Sequence, residues 1–179
     1  MSLSKLNEAM HLLAADPRTL FVGQAVKYPG QSAFPSFAGL PQDRVIEMPV
    51  AEEFQMGFCT GLSLAGFIPV SFYSRMDFLI LAMNQLVNHL DKLTIFGWHP
   101  KVIIRTAVGR THPLNAGPQH TQNHTHALRQ MLTTIDVHEL LTEDLILPCY
   151  EAALKSKRST ILVEHQRHYA APSESTKEK

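Results

Sequence analysis

The sequence predicts an α/β domain of three layers, a parallel sheet with helices on both faces. Short apolar runs alternate with longer stretches of helical periodicity, the rhythm of strand–helix–strand units. Loops rich in glycine and proline follow several of the runs, as they do where ligands gather at the carboxyl edge of such a sheet. With 179 residues the chain is long enough for one domain with a core that needs no staples.

Taken in order, Leu6, Met10 and Leu13 mark an opening amphipathic helix over 3–15 that stops at Asp16-Pro17, and Thr19 to Val22 fits a buried strand. Residues 23–39 are too irregular for either state and predict a long loop, the kind that tends to carry function. Arg44 to Met48 predicts a strand that Pro49 ends. Phe54, Phe58, Leu62 and Ala65 then recur at helical spacing from Ala51 onward. Ile68 to Phe72 predicts a strand, and Asp77 to Leu93 a helix apolar nearly all round, hence buried on most sides within the domain or against another chain. Val102 to Thr106 predicts a strand leading into a second irregular loop, 107–123, with a helix from His124 or Thr125. A strand at 135–138, a helix at 142–157 capped by Thr142 and containing Pro148, and a strand at 160–163 complete the series. The polar stretch from Pro172 predicts a disordered tail.

Sixteen basic residues balance sixteen acidic ones, which leaves no electrostatic footprint for nucleic acid or an anionic membrane. No apolar run predicts a membrane span or signal peptide. Cys59 and Cys149 both fall inside predicted helices and read as reduced, buried thiols of a cytoplasmic protein. Ten histidines are the compositional oddity. His120, His124 and His126 lie close together, but their spacing matches no zinc pattern and no cysteine is near. His99, His112, His138, His165 and His168 read as surface, loop or interface residues.

The chain is organised around residues 48–66, MPVAEEFQMGFCTGLSLAG, where a strand end runs into two carboxylates on the first turn of a helix. A helix N-terminus favours the anion of Glu52, whereas flanking Val50, Phe54 and Met56 would strip water from it. That tension suits a group that shares a proton. Alternatively, Glu52 and Glu53 only complement the helix dipole.

Five segments in order, MPVAEEFQMGFCTGLSLAGFIPV, SFYSRMDFLILAMNQLVNHLDKL, VIIRTAVG, GPQHTQ and ILVEHQRHY, resemble the pyrimidine-binding domain of thiamine diphosphate enzymes. The likeness is to the β subunits of 2-oxo acid dehydrogenase first components, and also to transketolases. It covers about residues 20–169 and implies one pyrimidine-binding domain over 1–170, with 171–179 as the tail. By this resemblance Glu52 is the catalytic glutamate, sharing a proton with N1′ of the cofactor's aminopyrimidine so that the exocyclic nitrogen can form the nucleophilic ylide. Glu53 then faces solvent or an interface. Phe78 falls on the aromatic that stacks on the pyrimidine, with core packing as its alternative, and Val50 on an apolar residue of the same pocket. His120 falls on a histidine facing the substrate side of the cofactor, where an imidazole can exchange a proton near neutral pH. Arg105 could meet a substrate carboxylate or phosphate, or form a structural ion pair. Gln24 departs from the family, which usually has an acidic residue there.

Enzymes of this type hold magnesium and the diphosphate through a GDG motif in a second domain, and no GDG string occurs here. The resemblance therefore implies an α-like partner chain carrying that domain and the magnesium, in an α2β2 assembly, with Gly57-x-x-x-Gly61 and the 77–93 helix at the interface. The β subunits usually continue into a further domain after the EH…Y strand. Its absence here shifts the expectation towards a small split enzyme performing ketol transfer, acyloin formation or decarboxylation on a ketose or 2-oxo acid. A dehydrogenase β subunit and a non-catalytic scaffold are the alternatives, and a binding module for another flat heterocycle is a third.

Overall fold

A computed structural model describes residues 2–31, 33–109 and 116–169; the predicted tail, His112 and the side chain of His168 lie outside the described residues. Its strands are β1 (Thr19–Gly23), β2 (Val45–Glu47), β3 (Ile68–Tyr73), β4 (Ile103–Val108), β5 (Asp136–Leu140) and β6 (Thr160–His165). They form one six-stranded sheet in the order β2-β1-β3-β4-β6-β5, with every pairing parallel. Each predicted strand is present. Every residue of β3 and β4 is buried, as a sheet covered on both faces requires.

The helices are α1 (Ser2–Ala14), α2 (Phe34–Phe37), α3 (Glu52–Leu64), α4 (Met76–Leu79), α5 (Thr125–Met131) and α6 (Ile146–Lys155). Two cores lie on opposite faces of the sheet. Leu6, Met10 and Leu13 of α1 and Tyr150 of α6 pack with Phe21, Phe37 and Leu162 on one face. On the other, Met56 and Cys59 of α3, Leu79 of α4 and Leu128 of α5 pack with Val22, Ile104 and Val163. Among the described residues no helix is long and apolar enough to cross a membrane.

Three elements differ from expectation. The predicted 77–93 helix is α4 followed by a 3-10 turn, Ile80–Ala82, and a π-helix, Asn84–Leu90, which closes with the Asp91 N–H on the Leu86 carbonyl at 3.0 Å. Only one stripe of it is buried, Met76, Leu79, Ala82, Leu86 and Leu90, while Ile80 and Leu81 are exposed. The expectation of burial on most sides therefore fails within this chain. In α6 the helix proper begins at Ile146 after a 3-10 turn, Glu143–Leu145, so Pro148 falls in its first turn, where a missing N–H breaks no helical bond. Finally, α3 buries Gln55, Met56, Cys59 and Thr60, and leaves Phe54 61% exposed. Both cysteines are unpaired, with Cys59 buried as predicted but Cys149 only half-buried.

Candidate active site

In a parallel sheet all carboxyl ends lie on one edge, and a crevice opens where the chain leaves two adjacent strands in opposite directions. Here that point lies between β1 and β3, because β2 sits beyond β1 and β4 beyond β3. A recess at this place is lined by Gln24 after β1, Pro49 after β2, Phe72, Tyr73 and Ser74 at the end of β3, Glu52 and Gln55 of α3, and Phe78 of α4. It is shallow, about 10 Å³, the room of a single water.

Glu52 is the first residue of α3, and its backbone carbonyl accepts the Tyr73 hydroxyl at 3.3 Å. Burial pushes the Tyr73 phenol far above its ordinary value, with the nearby Glu52 charge adding to the effect, so Tyr73 stays a neutral phenol. One turn along, buried Gln55 donates to Ser71 Oγ at 3.1 Å and to the Phe72 carbonyl at 2.9 Å, fastening α3 to the strand end. The desolvation expected from Val50 and Phe54 is not found. Val50 is 70% exposed and lies outside the recess lining, and Phe54 points outward, stacking on Phe58 with centroids 6.1 Å apart. Glu53 accepts the Asn84 amide at 2.9 Å on the outer side, as expected of a charge turned away from the recess.

Phe78 lies beside Glu52 in the recess lining and meets His120 edge-to-face, with centroids 5.3 Å apart and planes at 71°. His120 ends a 3-10 turn, Pro118–His120, reached through Gly117 at φ 78°, a conformation glycine adopts without strain. The following residues lie along α4 in reverse register. Gln122 donates to Asp77 at 2.8 Å and the His124 N–H donates to Met76 Sδ at 2.9 Å. The structure thus brings Glu52 and Phe78 into one recess and sets His120 against the Phe78 ring, outside the recess lining itself.

Arg105 is a correction. It is fully buried, pairs with Glu164 at 2.9 Å, donates to Ser36 Oγ at 3.3 Å and lies over the Phe37 and Phe72 rings. Strand β4 runs on to Val108, so Arg105 is in mid-strand and points into the α1/α6 core. The ion-pair alternative describes it and the substrate contact does not. His120, His124 and His126 hold no metal geometry, since no three candidate ligands converge among the described residues. His165 contacts Glu139 at 3.0 Å, while His99 and His138 are exposed. Burial pushes the Cys59 thiol up to about 12, which makes it a packing residue.

Three residues escaped sequence reasoning. Gln55 could have been found as the one long polar side chain among α3's buried positions, and Tyr73 as a phenol at a strand end. Glu47, the last residue of β2, takes the N–H groups of Ala25 (2.6 Å), Val26 (3.0 Å) and Lys27 (2.9 Å) on its carboxylate. Nothing in its own segment announces that role.

Residues 5–172 match the family model described as transketolase, pyrimidine binding domain. The chain belongs to this family. It is 36% identical over 92 residues to a 3-methyl-2-oxobutanoate dehydrogenase subunit beta of Mycobacterium tuberculosis, a match covering 49% of this chain and 26% of the relative. It is 35% identical over 81 residues to a pyruvate dehydrogenase E1 component subunit beta of Staurastrum punctulatum, covering 44% and 25%. These matches thus span about a quarter of the relatives' length. Among solved structures, a split gene transketolase described as an inactive beta4 tetramer superposes with TM-score 0.73 at 18% identity, covering 92% of this chain and 51% of that one. Transketolase from Leishmania mexicana gives 0.72 at 20%, covering 92% and 25%. At those identities the likeness is one of fold.

Proposed function

We propose that this chain is the β-like, pyrimidine-binding subunit of a two-chain thiamine diphosphate enzyme that cleaves or forms a carbon–carbon bond on a 2-oxo acid or ketose. The observation that carries the reading is that a carboxylate and an aromatic ring, Glu52 and Phe78, line one recess at the switch point of the sheet. Their residue types fit an aminopyrimidine, which needs a carboxyl partner for its ring nitrogen and a flat apolar surface. A recess this shallow can only be one wall of the site, so the remaining walls and the magnesium-held diphosphate come from an α-like chain. When bound, the cofactor supplies the carbanion chemistry. Glu52 would hold and return a proton at the pyrimidine nitrogen, Phe78 would orient the ring, and His120 would exchange a proton with the substrate oxygen.

Val50, Phe54, Ile80 and Leu81 are exposed apolar residues of the segments bearing Glu52 and Phe78, the expected dress of a surface that a partner covers. Gly57 is already filled in this chain, its Cβ position lying 3.4 Å from Gln85, whereas Gly61 meets nothing within 4 Å and is open to a partner helix. An α2β2 assembly and a ketol-transferring, acyloin-forming or decarboxylating reaction are the reading preferred here. The identity to dehydrogenase β subunits favours oxidative acyl transfer as the second.

Affinity recovery of the tagged chain from its native cells, followed by assay of the complex on 2-oxo acids and ketose phosphates, tests both. A stoichiometric partner with a GDG motif is expected. Glu52→Gln should lower turnover at least about a hundredfold with assembly unchanged; full turnover in that variant would sink the proposal.

A further inference from the structure

The loop after β1 carries Gln24 to the recess beside Glu52 in an uncommon conformation. Ala25 has φ 66°, the one non-glycine residue in the left-handed region among the described residues. Such a conformation persists only where its surroundings over-determine it. Two features do so here. Gly23 is pressed against β3, where an added Cβ would lie 3.0 Å from the Phe72 Cβ, and its carbonyl accepts the Met48 N–H at 2.8 Å. Beyond it, three successive N–H groups, those of Ala25, Val26 and Lys27, turn inward onto the two carboxylate oxygens of Glu47. A run of backbone donors around one anion is a nest, and here the anion is built into the neighbouring strand. Charge-assisted bonds of this kind are stronger than neutral ones, and three of them fix three consecutive residues.

We infer that Glu47 is a positioning residue of the reaction: by gripping Ala25, Val26 and Lys27 it holds Gln24 as the wall of the recess facing Glu52. The inference rests on the proposed function, which makes that recess the pyrimidine site. Glu47 touches neither substrate nor cofactor and acts through the loop.

Hydrogen exchange of the full chain and kinetics of the assembled enzyme test it together. In Glu47→Ala the amides of residues 25–27 should exchange about tenfold faster or more, while those of β3 and β4 keep their protection. The KM for thiamine diphosphate should rise about tenfold with kcat within about twofold. Glu47→Gln, which keeps one accepting oxygen, should fall between, and serves if the alanine variant does not fold. Ala25→Gly placed on Glu47→Ala should recover part of the KM, because glycine adopts the left-handed turn without the grip. A general loss of packing would show no such recovery. Unchanged exchange at 25–27, or faster exchange with an unchanged KM, overturns the inference while leaving the proposed function standing. A wild-type complex that binds no thiamine diphosphate overturns the proposed function and this role with it, although the exchange data still report the grip.

Discussion

The two faces of the sheet are finished to different degrees. On the α1/α6 face the chain has buried even its charges: Arg105 and Glu164 are both fully enclosed, the Tyr150 hydroxyl donates to the same carboxylate, and Phe37 and Phe72 lie against the guanidinium. On the α3 face the inner layer is equally dry, but the outer one shows Phe54, Ile80 and Leu81 to solvent, on the segments that carry Glu52 and Phe78. The candidate site lies on the face that keeps these apolar residues exposed, and under the proposed function a partner would cover it.

Breaking the finished face should cost the most stability. Arg105→Met leaves Glu164 buried without its counter-charge, and removing one partner of such a pair costs about 3–5 kcal/mol. Urea unfolding of the chain would measure it. Removing both charges together, in Arg105→Met with Glu164→Leu, should recover much of that loss, because the penalty comes from the unpaired charge and not from the lost attraction. A double variant as unstable as the sum of the two single ones would show that the pair itself, rather than its neutralisation, supports this face.

The inner layer of the α3 face has its own anchor. Asp91, fully buried at the end of the π-helix, accepts the Thr133 N–H at 2.9 Å, the Thr134 N–H at 2.7 Å and the hydroxyl of Thr133 at 2.9 Å, and pairs with Lys92 at 2.7 Å. Burial by itself raises its carboxyl, but the Lys92 ammonium and the threonine donors outweigh that and hold it well below the ordinary carboxylate value. A carboxyl whose folded value is depressed contributes stability that is fully present above its unfolded value, about 3.9. That contribution is lost as the pH falls through the folded value. Asp91→Asn should therefore cost about 2–3 kcal/mol at neutral pH, with the difference from wild type shrinking below about pH 4. Stability curves of both proteins between pH 3 and 7, taken at about one-unit intervals, would test the sign.

The sheet was legible because its strands are apolar runs closed by proline or polar loops, and period and punctuation suffice for that. The position of Glu52 on the first turn of α3 was legible from the strand-to-helix joint. Residue spacing alone could not tell which stripe of α3 faces inward, since Phe54 and Met56 are both apolar and the buried side includes Gln55 and Thr60. Arg105 misled for a related reason. Its partner Glu164 is 59 residues away in sequence, and only the pairing of β4 with β6 brings them together. The grip of Glu47 on residues 25–27 is likewise a contact between adjacent strand ends, invisible until β1 and β2 are paired.

The smallest expected effect on stability carries the sharpest test of the comparison. Phe54 is a large aromatic residue at 61% exposure, and its removal opens no cavity in this chain. Phe54→Ser should change unfolding stability by about 0.5 kcal/mol or less. If the α3 face awaits a partner, the same substitution should abolish co-purification of that partner or shift the assembled species to the free chain in sedimentation, because aromatic residues at the centre of an interface carry a disproportionate share of its binding energy. A variant that stays folded but no longer assembles would assign the exposed apolar layer to the partner. Unchanged assembly would mean that the partner docks elsewhere and that the unfinished look of this face has another cause.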